Sequence, residues 1–174
     1  MAGLADDRPG HRQMCVEVLC GYLRMPYEPG PGEDAPVEKR LAFQASGEVR
    51  HTVIRVIAAH LNGTAPGSWC GLNFDFAGAV FDGDDFRGAK FPGGTVNFAG
   101  AEFSGGEVDF GGAEFSGGTV GFAGAGFSGG TVGFSRVASW TQPPGFGSGF
   151  DVSHSPAGVM MPAATSPSPD SPVP

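Results

Sequence analysis

The residue types in this chain that are able to do chemistry are four histidines, three cysteines and a run of aspartates. His51 and His60 are nine residues apart, about 180° around a helix, so they cannot share a ligand. His11 and His154 lie far from both in sequence. Cys15 and Cys20 are about 140° apart on a helix, which is unsuited to chelating one ion, and Cys70 is remote. The "DGDDF" at 82–86 has the composition of a calcium loop but lacks the closing glutamate of an EF-hand. "GGEVDF" at 105–110 misses the Gly-Gly-x-Gly-x-Asp of a calcium β-roll, with Phe110 where the ligand belongs. "SGGTVGF" has no following lysine and opens no helix, so it is not a phosphate loop. No serine, histidine and acid fall into a triad pattern. The reading is solvated corner carboxylates, with no catalytic residue, no cofactor and no metal site.

The elements that hold these residues are legible from composition and spacing. The 174 residues include 31 Gly and 15 Pro, too many for an ordinary globule over the whole length. Of the aromatic residues, 15 are Phe against 2 Tyr and 2 Trp, which suits a repeated dry interior position. A net charge of −8 argues against direct nucleic-acid binding, which needs clustered Lys and Arg. Three cysteines without framework spacing fit a reducing compartment. No secretory signal opens the chain, and no run reaches the roughly 20 apolar residues of a membrane span. The expectation is a cytoplasmic protein with no membrane span in this chain.

Three zones follow. Residues 1–64 read as a helical pair. Asp6 or Asp7 would cap a helix entered at Pro9, with Cys15, Val18, Leu19, Tyr22 and Leu23 as its apolar stripe. Met14, Val16 and Cys20 extend that stripe into an exposed apolar edge. A second helix, weakened or broken at Ser46-Gly47, carries Val49, Val53, Ile54, Ile57 and Leu61 and stops at Asn62-Gly63. Residues 65–141 hold the repeat, and 142–174, rich in Pro, Ser and Gly, read as a disordered tail.

Within the repeat, "FAGAEFSGGEVD" is rewritten twice with small changes. Valine and phenylalanine two apart, or alanine and phenylalanine two apart, point to one side of an extended strand. Glycine between the pieces allows corners. The large inward residues are Phe76, Phe81, Phe86, Phe91, Phe98, Phe103, Phe110, Phe115, Phe122, Phe127 and Phe134. Their spacing of five, then alternately seven and five, is that of a solenoid with short straight sides. Four sides per turn give just under three turns, about 14 Å tall at about 4.8 Å per layer. Trp69, Cys70 and Leu72 on one end, and Val137, Trp140 and Phe146 on the other, are the expected caps. The same period turns Asp84 inward, where a carboxylate needs partners. Backbone N–H groups of a corner are expected to hold it.

The stretch "FAGAVFDGDDFRGAKF" resembles the bacterial pentapeptide-repeat family, over residues 71–134. The resemblance implies an α+β chain whose helical pair precedes a short right-handed, four-sided β-helix. Phe stands for the more usual Leu, and alternate sides are two residues longer. The helical segment also looks like the region preceding the repeats in some family members, certain of which carry membrane helices further upstream. The function implied is a non-enzymatic scaffold or interaction module with an unidentified protein partner and an undefined oligomeric state. The alternative is an acidic DNA mimic that binds DNA gyrase. The repeat zone holds Asp75, Asp82, Asp84, Asp85, Glu102, Glu107, Asp109 and Glu114 against Arg87 and Lys90, yet residues 115–135 carry no charge.

Overall fold

The computed structural model describes residues 9–27, 30–32, 34–148, 155 and 158–162. Asp6, Asp7 and His154 lie outside the described residues. A short 3-10 turn, Pro9–His11, leads into helix α1, Arg12–Leu23. The buried arc of α1 is Cys15, Val16, Cys20 and Leu23, whereas Val18 is 49% exposed. Of the expected stripe, Cys15 and Leu23 are buried, Leu19 and Tyr22 pack half-buried against the core, and only Val18 turns out. Val16 and Cys20 widen the buried arc, and of the expected apolar edge only Met14 is exposed. The reason is that α1 packs on two surfaces, the second helix and the first strand.

Helix α2, Val37–Asn62, runs unbroken through Ser46-Gly47. Gly47 is there for closeness: it is buried, and a Cβ on it would stand 3.3 Å from the Tyr27 hydroxyl. Val53, Ile54, Ile57 and Leu61 face the core, while Val49 turns out to solvent. Gly63, at φ +81°, ends the helix in the left-handed conformation that glycine adopts freely. Among the described residues, no helix is long and apolar enough to cross a membrane.

Beyond Gly63 the chain winds into a parallel β-solenoid of about three turns. Its strands are β1 (Phe74–Asp75), β2 (Val80–Phe81), β3 (Asp84–Asp85), β4 (Lys90–Phe91), β5 (Thr95–Asn97) and β6 (Glu102–Phe103). They continue as β7 (Glu107–Asp109), β8 (Glu114–Phe115), β9 (Thr119–Gly121), β10 (Gly126–Phe127), β11 (Thr131–Gly133), β12 (Ser139–Trp140) and β13 (Val159–Met160). Through β12 each strand pairs with the one four places on, and β13 adds to β11, giving the ladders β1-β5-β9, β2-β6-β10, β3-β7-β11-β13 and β4-β8-β12.

The corners follow from the sequence "Phe-x-Gly-Ala". The Ala79, Ala101 and Ala113 N–H groups donate back to the Phe76, Phe98 and Phe110 carbonyls at 3.0 Å. Gly78, Gly100 and Gly112 sit between at φ +69°, +63° and +71°, the third position of a type II turn. An Asp or Asn just before the Phe secures the same corner. Asp109 Oδ1 accepts from the Gly111 N–H at 2.7 Å, and Asn97 Oδ1 from the Ala99 N–H at 3.0 Å.

Inside, the rings stack in columns. Phe76, Phe98, Phe122 and Phe146 follow one another with centroids 5.0, 4.6 and 5.1 Å apart. Phe81, Phe103 and Phe127 form a second column at 5.2 Å, and Phe86, Phe110 and Phe134 a third at 5.2 and 4.9 Å. Phe91 and Phe115 stack at 5.1 Å and end on the edge of Trp140. All of the expected inward Phe are buried except Phe127, which is half-buried near the C-terminal end.

Both ends are covered. At the start, α1 lies on β1 and α2 on β3 and β4, with Trp69 fully buried between helix and coil. At the finish, part of the segment read as tail continues the winding. Gly145 bridges to Gly121, Phe146 stacks on Phe122, and Val159 pairs with Val132. The other residues of that segment beyond 148 lie outside the described residues, apart from 155 and 158–162.

Candidate functional site

Asp84 stands where the ladder otherwise places valine. Its β3 position pairs with Val108, which pairs with Val132, which pairs with Val159. The three valines fill a dry column, and Asp84 is its first member, on the coil that α2 covers. The Asp84 side chain is only 2% exposed. It is not held by corner backbone N–H groups as expected. Its partner comes from 33 residues back: His51 Nδ1 on α2 lies 2.9 Å from Asp84 Oδ1. Asp84 Oδ2 is buried with no hydrogen-bond partner among the described residues.

A second carboxylate joins from the corner between β2 and β3. His51 Nε2 is 3.4 Å from Asp82 Oδ1, and the Tyr27 hydroxyl donates to Asp82 Oδ2 at 2.8 Å. Gly83, at φ +118°, lets the chain fold back between the two aspartates. Arg50, one residue before His51, is buried. It donates to the carbonyls of Leu23 at 2.8 Å and Val80 at 2.9 Å, tying α1, α2 and β2 together. Its guanidinium lies 4.4 Å from the centre of the Tyr27 ring. The group opens onto a cleft of about 580 Å³ lined by Glu48, His51, Arg55, Asp84, Asp85 and Glu107, among others.

The electrostatics follow from burial. Removal from water raises the Asp84 carboxyl above its ordinary value, and the His51 hydrogen bond opposes that rise. Burial, helped by the bond to Asp82, pushes the Tyr27 phenol up to about 12, so it stays a donor. Burial also lowers the Arg50 guanidinium from its usual value. The result is a polar joint between helical cap and solenoid, with one carboxylate oxygen left over.

The other residues singled out from sequence go elsewhere. His60 is stacked on Trp69 with centroids 3.9 Å apart, and its Nδ1–H donates to the Gly67 carbonyl. Cys15 and Cys20 are buried free thiols, and burial pushes Cys20 up to about 11, which makes it unreactive. The Cys70 thiol donates to the Leu61 carbonyl at 3.3 Å. His11 is exposed beside α1. The aspartates of "DGDDF" are not all solvated corner groups: Asp85 pairs with Arg87, while Asp82 and Asp84 converge on His51. Sequence spacing carried no signal for that convergence. The only mark was Asp84 itself, a charge at an inward period. Among known protein families, curated proteins and solved structures, no match to this chain is found.

Proposed function

We propose that this chain is a non-enzymatic interaction scaffold. The observation that supports it is the division of labour within each coil. The interior is spent on stacked Phe, while each ladder carries an outward column, such as Val80, Glu102 and Gly126, at fixed layer spacing. Such columns offer a partner a regular surface, the usual use of stacked repeats.

The DNA-mimic alternative is disfavoured by where the acids are used. Asp75, Asp85 and Asp109 hold corner N–H groups, and they pair with Arg24, Arg87 and Arg136 respectively. Glu114 pairs with Lys90. On the third coil, glycines occupy the corresponding outward places at 121, 126 and 133. A phosphate-like ladder needs unpaired charge repeated along its length.

The test has two arms. Affinity capture with wild type and with a Glu102→Lys, Glu107→Lys double variant of unchanged melting should yield a partner that binds only the wild type. In a DNA gyrase supercoiling assay, the purified chain should leave the enzyme uninhibited. Inhibition at stoichiometric concentration would replace the scaffold reading with the mimic.

A further inference from the structure

We infer that His51, Asp82 and Asp84 form a site for one divalent transition-metal ion, of the Zn²⁺ type, which clamps the helical cap onto the first coil. Each of the three side chains offers a ligand atom, and the three atoms lie within 4.8 Å of one another. Zn²⁺ ligands stand about 2.0–2.2 Å from the ion, so tetrahedral neighbours are about 3.4 Å apart. The observed Nδ1 to Asp84 Oδ1 separation is 2.9 Å, and His51 Nε2 to Asp82 Oδ1 is 3.4 Å. These are different ring nitrogens and one ion takes only one of them, so the carboxylate facing the other nitrogen must swing round the ring edge to complete the set, from ligand atoms already within 4.8 Å of one another.

Proximity of acids alone would not carry this, since carboxylates gather on many surfaces. Two further features do. Asp84 is almost wholly buried, yet its Oδ2 has no partner among the described residues, in a column where its three successors are valine. A buried acceptor without a donor is costly, and a cation that the Asp84 carboxylate takes through Oδ2, alone or together with Oδ1, removes that cost. Asp82 is also oriented from behind: the Tyr27 hydroxyl occupies Oδ2 and leaves Oδ1 towards His51. Outer-shell hydrogen bonds of this kind are the usual support of a metal ligand.

Charge decides the class of ion. Two carboxylates balance the charge of a dication, and the imidazole binds it through a ring nitrogen lone pair. An imidazole ligand favours Zn²⁺ over Mg²⁺ and Ca²⁺, which prefer oxygen. The remaining coordination positions face the cleft and take water. Arg50 stays outside the set, its guanidinium engaged by the Leu23 and Val80 carbonyls.

Tag-free, chelator-treated full-length protein, titrated with Zn²⁺ by calorimetry, should bind one ion and melt at higher temperature. Mg²⁺ should bind at least about tenfold more weakly. Co²⁺ in place of Zn²⁺ should give visible d–d absorption that disappears in His51→Ala. His51→Ala and Asp84→Asn should abolish Zn²⁺ binding, Tyr27→Phe should weaken it about 10- to 100-fold, and Glu102→Gln, on another ladder, should leave it unchanged. Asp82→Asn, close to isosteric, provides a ligand deletion if either of the first two fails to fold. Absence of Zn²⁺ binding, equal affinity for Mg²⁺, or undiminished binding in the folded ligand variants would overturn the assignment.

Discussion

At the scale of the residue, Asp84 is the position where stability and polarity are opposed. Valine continues the column below it, so Asp84→Val should fill the space that Val108 and Val132 fill in later coils. It also removes an unpaired buried oxygen, while His51, a third exposed, can turn to water. The expected gain near neutral pH is on the order of 1 kcal/mol, read as a higher urea midpoint with unchanged slope. The gain should depend on pH in a particular direction. Burial raises the Asp84 carboxyl in the folded state, so the folded protein holds that proton more tightly than the unfolded chain. Wild-type stability from this group is therefore present below the ordinary carboxyl value and lost as pH rises through the raised one. The advantage of Asp84→Val should shrink as pH falls towards that ordinary value. An advantage that grows in acid would show that His51 outweighs burial.

At the scale of the element, the corners are where single atoms matter. A Cβ on Gly106, at φ +61°, would stand 2.7 Å from both the Asp82 carbonyl oxygen and the Gly83 Cα of the coil before it. Gly100 has nearly the same φ, +63°, with nothing within 4 Å. Gly100→Ala should therefore cost only the left-handed penalty of about 1–2 kcal/mol. Gly106→Ala should cost clearly more, because two backbones must separate. Equal losses in chemical denaturation would mean that the coils are not in this register.

Much of this level was readable in advance. Inward Phe two residues after Val or Ala, with glycine at the corner, fixed both the strands and their facing. The helices were less legible. A stripe assumes one buried face, but α1 is covered by both α2 and β1, so Val16 rather than Val18 went inside. Gly47 looked like a breaker and proved to be a contact point for Tyr27. The cap–solenoid joint was hidden because His51 and Asp84 meet only after the chain has turned through α2 and the first two strands. No local pattern encodes that meeting.

At the scale of the whole molecule, a stack of three turns depends on its ends, since each coil contacts only its neighbours. Helices close the first coil. Gly145, Phe146 and the β13 strand cover part of the last, seated on Gly121, Phe122 and β11. Truncation after Gly145 should therefore lower the melting temperature, by uncovering the Phe122 ring and the β11 edge. Differential scanning calorimetry would detect it, and an unchanged transition would mean that the last described segments add nothing to the stack.

The type of residue in the inward columns has a consequence for length. Valine columns run under β5 and β7, and β6 and β8 are preceded by inward Ala101 and Ala113, so the interior repeats after half a circuit as well as a full one. Twelve residues advance the chain by two sides and bring valine beneath valine. Twenty-four bring each side back beneath itself. Copying residues 110–121 in tandem should leave the packing intact while carrying everything downstream to the opposite flank. Copying 98–121 should keep the flank and move it one storey, about 4.8 Å. Both variants should fold and melt near the parent, whereas a seven-residue insertion, which sets alanine beneath valine, should not. Near-identical twelve-residue segments thus make the protein a ruler that can be lengthened, or half-turned, without redesigning its interior.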